Sequence, residues 1–253
     1  VKSFGGFVAQ HAQEPNLTAG AQMNESELSG VLGLAAVVLV HEVAEVIVIN
    51  NAGPRAPLPR LGPKVRVLDQ DENIFVNPAW NLGAREAQSE HLIVSNDDVL
   101  FPPSLIDTVA RRLGPSVGMI GPHTRCRHTE RGRPPIFVPA YERKPLYGVL
   151  FFMARSSWVP IPDDLLVWCG DDWLFSRQTE RNYFFVGPQV RTPMAVTSGS
   201  PEFSAQKYAD LATYRSRYAH DDPYLKRFGR EARLAAGALR ATHRLLGRGT
   251  TQG

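Results

Sequence analysis

The amino-acid sequence predicts an α/β fold: a mostly parallel central sheet flanked by helices, followed by a helical, basic C-terminal tail. Three observations predict it. Short β-branched apolar runs alternate with stretches of helical periodicity, the layout of parallel strands joined by crossover helices. The chain has 253 residues, 43% hydrophobic and 21% charged, which is long enough for a large core and unlike disordered, collagen-like or coiled-coil chains. From Ser204 onward the pattern turns helical and basic.

In chain order, Phe4–Ala9 is a candidate first strand, and Asn24–Val40 is expected to hold the helix after it, with Leu32–Val40 readable as strand or helix. Strands are predicted at Glu45–Ile49, Val65–Leu68, His91–Ser95, Val117–Ile120, Tyr147–Ala154 and Tyr183–Val186, where apolar and β-branched residues cluster. Between them, Pro78–Gln88 and Pro103–Leu113 read as helices; the second carries Leu105, Ile106, Val109 and Leu113 on one face and starts where proline is tolerated. After Pro122 a Pro- and Arg-rich stretch runs to Pro145, too long for an ordinary connection, and reads as a functional or mobile loop. A helix is expected from Gly170 to about Arg181. We expect one domain over residues 1–203 and a helical extension over 204–253, packed on it or trailing from it.

A formal charge of +3 is too small to indicate a nucleic-acid binder, and none is expected. The charge is unevenly spread. Between His123 and Lys144 stand Arg125, Arg127, Arg131, Arg133, Arg143 and Lys144 against Glu130 and Glu142, and basic residues dominate again from Lys226 to Arg248. Both runs suit phosphate or an anionic membrane surface, or are simply solvated. Cys126 and Cys169 cannot build a disulfide framework and match no zinc spacing. The longest apolar run, Val31–Val40, is shorter than a membrane span. The expected location is the cytoplasm, with peripheral membrane contact through the basic stretches.

Two acidic clusters carry the functional signal. The strand His91–Ser95 runs directly into Asn96-Asp97-Asp98, and ligands of open α/β sheets gather beyond the carboxyl ends of strands. Such oxygen donors suit Mg²⁺ or Mn²⁺ with a diphosphate completing the coordination, although Asn and Asp are also ordinary turn formers. The second cluster is Gly170-Asp171-Asp172-Trp173-Leu174-Phe175 at a helix start. One Asp there can cap the helix, which leaves the other for proton transfer. Trp158, Trp168 and Trp173 could stack on a sugar ring or pack in the core, and His123 and His128 lie in the Arg-rich loop.

Val46–Asn51, then Asn73–Ala87 with Asn77, Trp80-Asn81 and Gly83, then Asn96-Asp97-Asp98, then Gly148–Arg155 with Ser157-Trp158, then Gly170–Phe175 occur in an order that resembles the inverting family 2 glycosyltransferases of GT-A fold. The resemblance spans roughly Glu45 to Arg181. It implies that Asn50 and Asn51 meet the nucleoside, where the family often has an acid. It places Asn81 near the nucleotide, with Trp80 where a basic residue is common. It aligns Asn96-Asp97-Asp98 with the family's Asp-x-Asp motif, its first acid replaced by Asn, so that Asn96 and Asp97 lie at the diphosphate and Asp98 is the metal ligand. Asp171 and Asp172 match the acidic pair that holds the catalytic base, without a choice between them. The late-strand stretch Met194–Ser200 lacks the metal-binding His of many relatives.

The resulting expectation is a glycosyltransferase that moves a sugar from a nucleoside-diphosphate donor to a hydroxyl acceptor, such as a glycan or glycolipid, with inversion. A divalent cation would serve as cofactor. A sugar nucleotidyltransferase and a non-catalytic sugar-nucleotide or glycan binder stand as alternatives; the former usually carries a Gly-rich basic loop near the N-terminus, which Val1–Asn24 lacks.

Overall fold

The computed structural model describes residues 7–11, 43–51, 63–96, 99–129, 133–192 and 201–248, with only the backbone described at 7–11, 201–203 and 238–248. Eight strands form one mixed sheet: β1 (Phe7–His11), β2 (Val46–Asn50), β3 (Val65–Asp69), β4 (His91–Asn96), β5 (Val117–Pro122), β6 (Ile136–Pro139), β7 (Leu150–Ala154) and β8 (Arg181–Val186), in the spatial order β3-β2-β1-β4-β7-β5-β8-β6. β3, β2, β1 and β4 pair in parallel, β7 runs antiparallel to both β4 and β5, β5 and β8 are parallel, and β6 closes the edge antiparallel to β8. The carboxyl ends of β1 to β5 and β8 therefore share one rim of the sheet, and the residues entering β7 meet them there.

The central strands are apolar on both faces because both faces are covered. Ile47 and Ile49 of β2, Leu92 and Val94 of β4, and Phe151 and Met153 of β7 pack with Ala79, Trp80 and Ala84 of helix α1 (Val76–Glu86), and with Leu174 and Phe175 of the short helix α3 (Gly170–Ser176). The intervening residues Val46, Val48, Ile93 and Phe152 face the other way. They pack against Leu105, Ile106, Val109 and Ala110 of α2 (Ser104–Arg112), which is the apolar face predicted for that helix.

The C-terminal region is helical in two pieces, α4 (Pro201–Thr213, continued by a π turn at Tyr214–Tyr218) and α5 (Pro223–Arg248). Asp222 accepts a hydrogen bond from the Leu225 N–H at 2.8 Å, so the Asp-Asp-Pro interruption acts as a helix start. Tyr224 and Phe228 of α5 insert into the first core cluster, with Tyr224 against Phe175 at 5.0 Å between ring centroids. Residues on both sides of 203 thus share one core.

Several elements differ from the sequence-based expectation, and four of the differences bear on the site or the sheet. The first strand lies at Phe7–His11. The strand expected from Tyr147 begins at Leu150, because Pro145–Gly148 forms a 3-10 turn that drives Tyr147 into the core. The helix from Gly170 stops at Ser176 rather than near Arg181. There the Asn182 amide donates to the Phe175 carbonyl at 3.1 Å and accepts from Met119 N–H at 2.8 Å, turning the chain into β8. The Pro-rich stretch contains β6, a strand that proline tolerates because it is an edge. The helix expected at Asn24–Val40 lies outside the described residues.

Candidate active site

β2 and β3 end in register at Asn50 and Asp69, and the Asn50 side-chain amide donates to the Asp69 carboxylate at 2.7 Å. Asn51 follows; its amide donates to the Phe75 carbonyl at 3.5 Å, while its buried Oδ1 has no hydrogen-bond partner among the described residues. β4 ends at Asn96 on the same rim, separated from β2 by β1 alone, which sets the two strand ends about 10 Å apart. Asp97 and Asp98 lie outside the described residues. The rim thus gathers Asn50, Asn51 and Asn96 and adds Asp69, an acid that the sequence reading missed. Its signal was the final residue of the run Val65–Asp69.

The second acidic cluster reaches the same rim through β7. The Asn96 N–H donates to the Val149 carbonyl at 2.9 Å, and the preceding residue, Gly148, lies against the Asp171 carboxylate. A Cβ on Gly148 would stand 2.7 Å from Asp171 Oδ2, closer than real contacts allow, so only glycine permits this approach. Asp171 and Asp172 both sit in the first turn of α3, and neither is its cap. The cap position is Cys169, in the left-handed conformation at φ 65° and without a side-chain capping bond. The expectation that one Asp caps this helix is corrected accordingly: the Asn77 side chain, rather than a capping carboxylate, organises the turn. Its amide donates to the Leu165 and Trp168 carbonyls at 3.0 and 3.1 Å, and its oxygen would clash at 2.1 Å with a Cβ on Gly170.

The loop leading into the acid pair is held from the other side by Asp210 of α4. This fully buried carboxylate accepts from the N–H groups of Leu166, Val167 and Trp168 at 3.2, 2.8 and 2.8 Å, and from the Gln206 amide at 2.7 Å. Two non-glycine residues with positive φ, Phe75 and Cys169, flank this junction of α1 and α3. Such strain persists only where surrounding contacts over-determine the backbone.

Asp171 is buried, and burial pushes its carboxyl up to about 6; Arg143 pulls the other way and the neighbouring Asp172 adds to the rise. Arg143 comes from the segment between β6 and β7. Its Nη1 lies 3.0 Å from Asp171 Oδ2 and its Nε 2.5 Å from Asp172 Oδ1. The sequence reading counted Arg143 as one cation of a basic stretch; its pairing spans 29 positions and has no local signature. His123 follows β5 on this rim. Its Nδ1 accepts from the Arg125 N–H at 3.2 Å, its ring meets Phe184 edge-on, and burial followed by Arg125 and Lys144 lowers its proton affinity.

Asn81 stands apart from this group. Its amide donates to the Ile161 carbonyl at 2.8 Å, and its oxygen accepts from the Ile161 N–H at 2.9 Å and from Trp158 Nε1 at 3.2 Å, so both ends serve the scaffold. Trp80 is buried, edge-on to Phe151 at 5.3 Å. Trp158, Trp168 and Trp173 are partly buried and pack against the first core cluster. A cleft of about 640 Å³ opens between α1 and the loop after β7, lined by Gln70, Asn81, Arg85, Arg155, Trp158 and Asp163 among others. Asn50, Asn51, Asn96, Asp171 and Asp172 do not line it. Among the described residues no group of three or more His, Cys, Asp or Glu is placed to hold a metal ion, and no helix is long and apolar enough to cross a membrane.

No protein-family model matches the chain. A stretch of 59 residues is 52% identical to a dihydroorotase from Leifsonia xyli subsp. xyli and 49% identical to one from Streptomyces coelicolor. The match covers 22% of this chain and 14% of either enzyme, so no activity passes from them. Among solved structures, a nucleotidyl transferase from Methanothermobacter thermautotroptrophicus superposes with a TM-score of 0.48 at 15% identity, covering 83% of this chain and 98% of that one. A mannosyltransferase from Pyrobaculum calidifontis, solved with GDP-Man and Mn²⁺, gives 0.48 at 16% identity over 95% and 79%. TarS of S. aureus gives 0.48 at 12% identity over 87% and 73%. These neighbours comprise glycosyltransferases and nucleotidyltransferases; at such distances no substrate or mechanism passes from them.

Proposed function

We propose that the chain is a glycosyltransferase that moves a sugar from a nucleoside-diphosphate donor to a hydroxyl acceptor with inversion, with Asp171 as the general base. The observation that supports this best is the junction at β7: one backbone step joins Val149, paired to the end of β4, to Gly148, against Asp171. This junction brings the proposed diphosphate end and the proposed base to one stretch of the rim. A carboxyl near 6 suits proton abstraction at neutral pH, because base catalysis is most effective when the pKa lies close to the working pH. Asp172 is the less buried of the two and is assigned to orientation through Arg143.

Donor recognition is assigned to the strand-end residues. Asn51 Oδ1, buried and without a partner among the described residues, would accept an N–H from the nucleobase, since a buried polar atom left alone is costly. Asn50 and Asp69 would meet the nucleoside next to it. Asn96, Asp97 and Asp98 offer oxygen donors of the kind Mg²⁺ and Mn²⁺ prefer, with Asp98 the proposed ligand. A bound cation would neutralise charge on the leaving diphosphate. The acceptor is proposed to be a glycan or glycolipid, with peripheral membrane contact through exposed Arg125 and Arg127 and through α5, where Leu225 and Leu234 are also exposed.

Thermal-shift measurements with a panel of nucleoside diphosphates, with and without Mn²⁺, test the donor site, since a ligand that binds only the native state raises the melting temperature. One nucleoside diphosphate should stabilise the chain, more with Mn²⁺, and Asp98→Ala should abolish the metal-dependent part. No stabilisation by any nucleotide would overturn the proposal.

A further inference from the structure

We propose that Arg143 is a positioning residue for the acid pair: its guanidinium fixes the orientation of both carboxylates and supplies the positive charge beside which Asp171 stands ionised. The inference rests on Asp171 being the base.

Arg143 presents two donors on one rigid plane, Nη1 to Asp171 at 3.0 Å and Nε to Asp172 at 2.5 Å. A lysine is a point charge on a flexible stem and lacks this rigid planar fork. The segment that delivers the guanidinium is anchored at both ends. Ala140 is buried, its carbonyl accepting from Tyr224 OH at 2.6 Å and its N–H donating to the Asn182 carbonyl at 2.8 Å; at the other end Gly148 abuts Asp171 itself. On the carboxylate side, Cys169, Gly170 and the Asp210-held loop fix where α3 begins. The pair is thus held from two separate parts of the chain.

The need for the cation follows from the surroundings. Asp171 is buried against Tyr147 and Cys169, both neutral: burial pushes the Cys169 thiol up to about 12 and the Tyr147 hydroxyl well above its ordinary value. Asp172 adds a like charge. Tyr214 and Asp210, from the α4 side, offer no positive charge, and Lys144 engages Glu142. Among the described residues Arg143 is the one cation acting on Asp171, and together with the Asp171 and Asp172 backbone N–H groups it opposes the desolvation that favours the protonated acid.

The test is a carboxyl titration that needs no sugar donor. Aspartate labelled with ¹³C at the carboxyl is incorporated into the full chain, the Asp171 signal is assigned with Asp171→Asn, and its midpoint is followed with pH. The wild-type midpoint is expected near 6. Arg143→Gln should raise it by roughly 1–3 units, the usual effect of an opposite charge at this range. Arg143→Lys should raise it less and shift the Asp172 signal, because a flexible ammonium does not reproduce the planar spacing of Nη1 and Nε. An unchanged or lowered midpoint in folded Arg143→Gln overturns the proposal. Should that variant not fold, a folded Arg143→Lys chain with both carboxyl signals unmoved overturns it instead. Either result leaves the sugar-transfer reading to be judged by nucleotide binding alone.

Discussion

Gly148 lies against the Asp171 carboxylate so closely that a methyl group on it would stand 2.7 Å from Oδ2. The obstructing atom is the far end of a side chain, so Gly148→Ala should be accommodated by displacing the carboxylate rather than the backbone. We expect a stability loss of about 1–3 kcal/mol, the usual cost of overpacking. Turnover should fall on the order of 10²-fold, as for a catalytic group misplaced by about 1 Å. Denaturation midpoints and rates on the same preparation check this; an Ala variant with full turnover would remove Asp171 from the chemistry.

Asp171→Asn should separate catalysis from stability. Turnover is expected to drop by about 10²–10⁴-fold with donor affinity retained, because a base acts in the transition state. The folded carboxyl sits at about 6 against an ordinary 3.8, so the native state binds this proton more tightly than the unfolded chain. The stability associated with it is complete below about 3.8 and is lost as pH rises through about 6. Replacing Asp171 by Asn removes that loss. The variant should therefore melt above the wild type at pH 7.5, with the gap closing toward pH 4. Thermal melts across this range decide it, and a variant less stable at pH 7.5 than at pH 4 relative to wild type contradicts the assignment.

The sheet was legible because burial on two faces leaves long apolar strands such as Val46–Ile49 and Leu92–Val94, and α2 because its apolar residues fall on one face. β6 was not, since prolines at 134, 135 and 139 mark a loop unless the strand is known to be an edge. In the site, the acid pair stood out as a local motif. Arg143, Asp69 and Asp210 did not, because each acts on residues distant in sequence: 29 positions for Arg143 and Asp172, 19 for Asp69 and Asn50, and 42 for Asp210 and Trp168. Asn81 illustrates the converse. A motif position suggested nucleotide contact, and only the packed loop at Ile161 reveals how its amide is used.

Those two roles for Asn81 make opposite predictions. Asn81→Ala leaves the Ile161 N–H and carbonyl and the Trp158 indole N–H without their partner, so stability should fall by about 1–3 kcal/mol. Nucleoside diphosphate affinity should stay within about twofold of the parent, well under the tenfold that 1.4 kcal/mol represents. Calorimetric titration below the melting transition checks this. A variant of unchanged stability with affinity reduced by more than tenfold would return Asn81 to the nucleotide.

Asp210 carries the last prediction. Its carboxylate satisfies three consecutive backbone N–H groups at Leu166–Trp168, immediately before Cys169 and the acid pair, and it does so from α4, beyond the boundary first expected at residue 203. Asp210→Asn keeps the size but exchanges an anion with two acceptor oxygens for an amide with one, so at least one of these part-buried N–H groups loses its partner. Hydrogen bonds to a charged group are worth about 1.5–3 kcal/mol each, and a destabilisation in that range is expected. Because this loop sets where α3 begins, amide exchange should accelerate at residues 166–172 while β2 and β4 keep their protection. Unaltered exchange at 166–172 in a folded Asp210→Asn chain would show that the loop is held by Asn77 alone.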